Sequence, residues 1–167
     1  FSAGKDIAGI ADMFWSFRFK PLITKRTDIN FVPTHQTSLV IVIRNLKVIS
    51  AFFHGPTFKR KTIRTSEPIN IYAVNLVPFA ALKYFRLRFN DLMSRSKSLS
   101  EAAGKKDYLL LRDKFEKCKN DKEYFSVLSD YLLNRMKNKT EVDGEIQELC
   151  SLIVNSHGEI KLEEFYK

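Results

Sequence analysis

Residues 67–89 read EPINIYAVNLVPFAALKYFRLRF, from Glu67 to Phe89, and they divide the chain into two textures. Pro68 opens a run of β-formers (Ile69, Ile71, Tyr72, Val74, Leu76, Val77) and Pro78 closes it. Apolar residues on both parities predict a strand covered on both faces. Pro78 suits the first turn of a helix, where a missing N–H costs nothing. Phe79, Leu82, Phe85 and Phe89 follow at spacings of 3, 3 and 4, which predicts one apolar helical face. The stretch reads as the hinge between a β half, residues 1–78, and a helical half, residues 79–156. Residues 157–167 then begin a further element.

Upstream of the hinge, the pattern is that of strands. Met13, Trp15, Phe17 and Phe19 alternate with Ser16, Arg18 and Lys20, a period of two with the aromatic face turned inward. Such a row is core, or it lines a concave site for a small ligand. Ile29 to Pro33 is a short strand. Leu39 to Ile43 is an uninterrupted apolar run and reads as a buried central strand, with Arg44–Asn45 as its turn. Lys47 to His54 returns, and Gly55–Pro56 breaks it. Thr57 to Thr65 carries Lys59, Arg60, Lys61 and Arg64, a usual defence of a sheet edge against pairing with another edge. Short strands at this spacing fit a small barrel or sandwich.

Downstream, the signals are helical. Ser98 and Glu101 have capping-box spacing, and Gly104 ends that short helix. Tyr108, Leu111, Phe115 and Cys118 mark a helix over 107–118. Asn120 and Glu123 cap another over 121–136, whose face is Tyr124, Leu128, Leu132 and Met136. The short connection predicts an antiparallel hairpin. A last helix over 142–156 turns Val142, Ile146, Leu149 and Ile153 inward. The apolar stripes of the hairpin are broad enough to need two partners. One is the sheet; the other is a second subunit or the helix over 142–156. Leu110, Phe125, Leu128, Tyr131 and Leu132 are the residues this argument assigns to a homodimer.

The 167 residues fit one domain, and 44% hydrophobic content with 14 Phe argues for a real core. No apolar run approaches a membrane span and no export signal is visible, so the chain is expected to be cytoplasmic and without a membrane partner. Cys118 and Cys150 are expected to be reduced thiols. They form no C-x-x-C, and the three histidines are scattered, so no metal and no cofactor are expected. No nucleophile elbow, zinc-binding H-E-x-x-H, phosphate loop or dinucleotide fingerprint occurs, so the chain is expected not to be an enzyme. The net charge of +9 is compatible with a nucleic-acid partner.

A set of motifs in order resembles the N-terminal part of AraC-type bacterial transcription regulators. Ala11-Asp12-Met13-Phe14-Trp15 resembles the family's opening strand, and Phe31-Val32-Pro33 to Ile43 its second segment. His54-Gly55-Pro56-Thr57 resembles the "G-p-x-t" element. Tyr72 to Pro78 resembles the strand that ends in a proline. Tyr131 to Met136 resembles the "fLl-x-rl" helix. Ile153 to Phe165 resembles the lead-in to the first DNA-binding helix. The resemblance implies an α+β chain in which a cupin-like small β-barrel senses a small effector and a helical half dimerises. DNA would be read only through a C-terminal helix-turn-helix domain, whose first helix would begin where this sequence stops at Lys167. Thr34-His35-Gln36-Thr37-Ser38 lacks the family's Gly and acidic residue, and Asn75 stands where an Arg is common.

Strand parity and side-chain chemistry nominate Trp15, Phe17, Phe31, His35, Phe53, Tyr72 and Asn75 as effector contacts. Each also reads as plain core. The alternative is a basic nucleic-acid-binding module using Lys59, Arg60, Lys61 and Arg64, with strand aromatics to stack bases.

Overall fold

The computed structural model describes residues 7–20, 27–31, 34, 36–57, 60–77 and 79–137. The chain is α+β. Its strands are β1 (Ala11–Phe19), β2 (Thr27–Phe31), β3 (Thr37–Arg44), β4 (Lys47–His54), β5 (Lys61–Thr65), β6 (Ile69–Leu76) and β7 (Ser96–Ser98). Its helices are α1 (Ala80–Phe85), α2 (Phe89–Leu92), α3 (Leu99–Ala103), α4 (Lys105–Phe115) and α5 (Asp121–Lys137).

Five strands form one antiparallel sheet in the order β1-β6-β3-β4-β7, and β2 and β5 form a separate antiparallel pair. The five-stranded sheet is open, with β1 and β7 at its edges. The hinge strand is β6, which lies between β1 and β3. Its apolar residues on both parities are explained by packing on both of its faces, so that neither is left to water. Tyr72, Val74 and Leu76 join the core under the helices, whereas Ile69, Ile71 and Ala73 join a second cluster on the other face. The second cluster also holds Val40 and Val42 of β3 and Ile29 of β2, so the β2–β5 pair packs against this side.

Among the described residues, the helices cover one face of the sheet. Phe14, Leu39, Ile41, Phe53 and Tyr72 meet Phe85, Leu111, Phe115, Leu128 and Leu132 there. This corrects the expected facing of β1. Its buried aromatic is Phe14, on the helix side. The row Met13, Trp15, Phe17, Phe19 lies on the other face, with Met13 43% and Phe17 37% exposed and Trp15 and Phe19 half-buried. Alternation identifies a two-faced strand but not which face the helices will choose.

Several local expectations need adjusting. The β3–β4 turn is Asn45–Leu46, one residue later than Arg44–Asn45. Both residues have positive φ (49° and 62°), as the mirror-image two-residue hairpin turn requires. The helix after the hinge stops at Phe85, because Arg86 takes a left-handed conformation (φ 54°, ψ 31°) and its N–H bonds back to Leu82. Phe89 therefore starts a new short helix instead of continuing the apolar face. Pro78 and the helix expected over 142–156 lie outside the described residues, as does the 157–167 segment. The strand β7 was not anticipated. Its Ser-Lys-Ser carries no strand signal, and it forms by pairing with Phe52–His54 of β4. The helical half thus returns one strand to the sheet.

Both caps occur as read. Ser98 Oγ accepts from the Glu101 N–H at 3.2 Å, and the Glu101 carboxylate accepts from the Ser98 N–H at 3.0 Å. Asn120 Oδ1 accepts from the Glu123 N–H at 3.1 Å. Gly55 is required by contact: a Cβ there would stand 2.0 Å from the Leu92 carbonyl oxygen.

Candidate functional site

The strand pair β1–β6 carries a polar cluster on each face. On the face away from the helices the hub is Asn75. It lies opposite Met13 of β1 and Ser38 of β3, so its amide sits between two strands. Its Oδ1 accepts from Trp15 Nε1 at 2.9 Å and from the Ser38 hydroxyl at 2.8 Å. Its Nδ2 donates to Gln36 Oε1 at 2.7 Å, and Gln36 Nε2 donates to Asp12 Oδ2 at 2.6 Å. Asn75 is 7% exposed, where an unpaired amide would be costly, and both lone pairs of its oxygen are used. The chain of bonds runs from the apolar wall at Trp15 to the exposed carboxylate of Asp12. It gives the end of this face a string of oriented amide groups.

On the helix face the cluster is Arg18, Tyr72 and Asp121. The Tyr72 hydroxyl donates to Asp121 Oδ1 at 2.6 Å, and Arg18 forms an ion pair with the same carboxylate. Asp121 is the first residue of α5, where a carboxylate also meets the positive end of the helix dipole. The Tyr72 ring stacks on Tyr124 at 4.2 Å between centroids and meets Phe115 and Phe125 edge to face. Burial, reinforced by the hydrogen bond to the Asp121 carboxylate, pushes the Tyr72 hydroxyl up to about 12. The Tyr72 hydrogen bond and the Arg18 guanidinium hold the Asp121 carboxyl below its ordinary value, against desolvation. The N-terminus of α5 is thereby fastened to two strands at once.

Of the nominated effector contacts, Trp15 and Asn75 meet directly. Phe17 lies on the same face of β1 as Trp15. Phe53 and Tyr72 lie on the opposite face, fully buried under the helices, so the sheet itself separates them from Trp15 and Asn75. Phe31 ends β2 opposite Lys61. The side chain of Phe31, and His35, lie outside the described residues. Sequence reasoning missed Asp12, Gln36 and Ser38, although Gln36 and Ser38 fall in the segment that departs from the family pattern. It also missed the pairing of Arg18 with Asp121, which are 103 positions apart.

The residues assigned to a dimer divide as well. Leu128 and Leu132 are fully buried within their own chain, Tyr131 is buried, and Phe125 packs edge to face on Phe14 at 5.8 Å. Leu110 is 55% exposed on α4. It borders a cleft of about 430 Å³ between α4 and α5, with Asp107, Lys114, Tyr131, Asn134 and Arg135 among its walls. Arg135 is ion-paired with Asp107, donates to the Ala103 carbonyl at 3.1 Å, and lies over the Phe85 ring.

In the basic stretch, Arg60 is exposed, Lys61 and Arg64 sit on β5 opposite Phe31 and Asp28, and Lys59 lies outside the described residues. Cys118 is a buried free thiol, and Cys150 lies outside the described residues. Among the described residues no group of three or more His, Cys, Asp or Glu side chains could hold a metal ion, and no helix is long and apolar enough to cross a membrane. Compared with protein-family models, curated proteins and solved structures, the chain matches none.

Proposed function

We propose that this chain is the effector-sensing and dimerising part of an AraC-like transcription regulator. In this reading, the five-stranded sheet and the β2–β5 pair are two walls of a cupin-like barrel. The face beside Trp15 and Asn75 takes a small organic effector without catalysing a reaction. DNA is read by a helix-turn-helix domain carried elsewhere in the regulator. The observation that carries the reading is the placement of two polar clusters on opposite faces of one strand pair. Trp15–Asn75 ties β1 to β6 on the sensing face, and Arg18–Asp121–Tyr72 ties the same two strands to α5 on the other. An effector that competes for Asn75 changes how β1 sits on β6, and α5 is fastened to both. It shifts the helices only to the extent that it binds one arrangement better than the other.

Native mass spectrometry of the purified chain at near-physiological ionic strength tests this. The expected result is a dimer carrying a discrete additional mass that is lost in Asn75→Leu. A bare monomer under the same conditions would count against both the sensing and the dimerising role.

A further inference from the structure

The eight arginines with described side chains fall into two groups. Arg18, Arg44, Arg112 and Arg135 are each ion-paired with a carboxylate. Arg60, Arg86, Arg88 and Arg95 are exposed and form no ion pair among the described residues. Three of these four lie in the connection from α1 to β7. Residues 83–97 hold five cations (Lys83, Arg86, Arg88, Arg95, Lys97) against one carboxylate, Asp91. The fourth, Arg60, comes shortly after the end of β4 in the sequence. The loop after β4 is bonded to this connection, Gly55 N–H to the Arg95 carbonyl at 3.1 Å and Ser94 N–H to the Pro56 carbonyl at 2.7 Å. Arg60 follows Thr57 by three residues.

We infer that this end of the molecule, centred on Arg86, Arg88 and Arg95, is a contact surface for the phosphate backbone of duplex DNA. The choice of residue suits a phosphate partner. Arginine presents a planar fork of donors that engages phosphate oxygens bidentately, and among the described residues these forks are not occupied by carboxylates. The backbone is also fixed where these side chains leave it. Arg86 is the left-handed cap of α1, and the Arg95 carbonyl is held by Gly55. Backbone hydrogen bonds at these positions lower the ordering cost of contact relative to a basic tail. Contacts to the phosphate backbone add affinity and orientation without sequence preference. This inference stands apart from the sensing role, since it needs neither an effector nor a dimer. It also differs from a basic strand at 59–64, because its centre is the α1–β7 connection.

The test is binding of the full chain to a fluorescent random-sequence 20-base-pair duplex, titrated from 50 to 200 mM salt. Three phosphate contacts predict a log–log slope of about −2.7, or roughly a forty-fold loss of affinity over that range. The triple variant R86E/R88E/R95E should bind at least about tenfold more weakly at 50 mM salt, with the slope largely gone. The control K105E/K106E/K117E removes the same charge from exposed lysines on or beside α4 and should change affinity less than about threefold. Equal losses in the two triple variants overturn the proposal, because net charge alone would then explain binding. No duplex binding at 50 mM salt overturns it too. So does binding to phosphatidylserine vesicles, but not duplex, that is lost in the arginine variant. If the triple variant unfolds, R88E alone is read instead, with an expected fall in slope of about one; an unchanged slope overturns the proposal.

Discussion

The two faces of the sheet are held by different forces. Under the helices, Phe14, Phe53, Tyr72 and Phe115 are fully buried and packed ring against ring, and Phe53 lies 4.6 Å from Phe85 between centroids. Stability there comes from apolar area removed from water and from dense packing. On the opposite face the aromatic row of β1 is only partly covered, and the centre of order is a hydrogen-bonded amide. A packed aromatic face resists change, because any movement opens a void. A face ordered by hydrogen bonds can exchange one partner for another at small net cost, provided that none is left unpaired. This difference is what the proposed sensing role draws on: recognition on the second face, support from the first.

The comparison can be broken most severely at Phe53. Phe53→Ala should cost about 3–5 kcal/mol, read as a lower urea midpoint, because the site is walled by sheet and helices and cannot collapse. A loss under about 1 kcal/mol would mean that the helix face is loosely packed. Asn75→Ala should cost about 1–3 kcal/mol, since it strands the Trp15 N–H and the Ser38 hydroxyl together. The same variant should shift Trp15 fluorescence, whereas Phe53→Ala should not. Tyr72→Phe should cost about 1.5 kcal/mol, as expected for a hydrogen bond to a charged group.

The pH dependence of that bond has a definite sign. The Tyr72 hydroxyl titrates at about 12 in the folded chain, above its ordinary 10.0. Its contribution is therefore complete below pH 10 and disappears as pH rises from 10 toward 12. The folded Asp121 carboxyl is depressed, so its contribution is present above the ordinary carboxyl range and lost as pH falls through the folded value. Melting curves of wild type and Tyr72→Phe should converge in the alkaline window. The smallest effect belongs to the exposed row: Met13→Ser should change stability by less than about 0.5 kcal/mol. A larger loss would show that the second face is covered at Met13 and that the contrast between the faces is smaller than drawn.

What the sequence disclosed follows from the range of each interaction. The caps at Ser98 and Asn120 involve residues three apart, and the helices start where their spacing says. The hinge strand was legible because a run apolar on both parities has few explanations. Trp15 and Asn75 were named separately by chemistry, but their meeting depends on a register between strands about sixty residues apart. The facing of β1 was misread because two alternating sets of side chains are equivalent until a helix packs on one of them. Nothing local announces β7 or the bond between Arg18 and Asp121. Both come into being only through the tertiary arrangement, and a polar residue with a distant partner looks like any solvated one.

Ser98 ends β7 and also caps α3, and Gly104 closes α3 and opens α4. From residue 96 to residue 115 the chain therefore has no slack: strand, helix and helix follow with shared boundary residues and no connecting loop. Length variation is the stringent test of such a segment. One residue inserted anywhere within it must either pull β7 out of register with β4 or turn the face of α4 by about 100° away from the sheet. Substitutions there should be tolerated according to burial, whereas insertions and deletions should not be tolerated at all. Among the described residues, the exposed turn at Asn45–Leu46 is a contrasting place, where a change in length leaves the helix packing untouched.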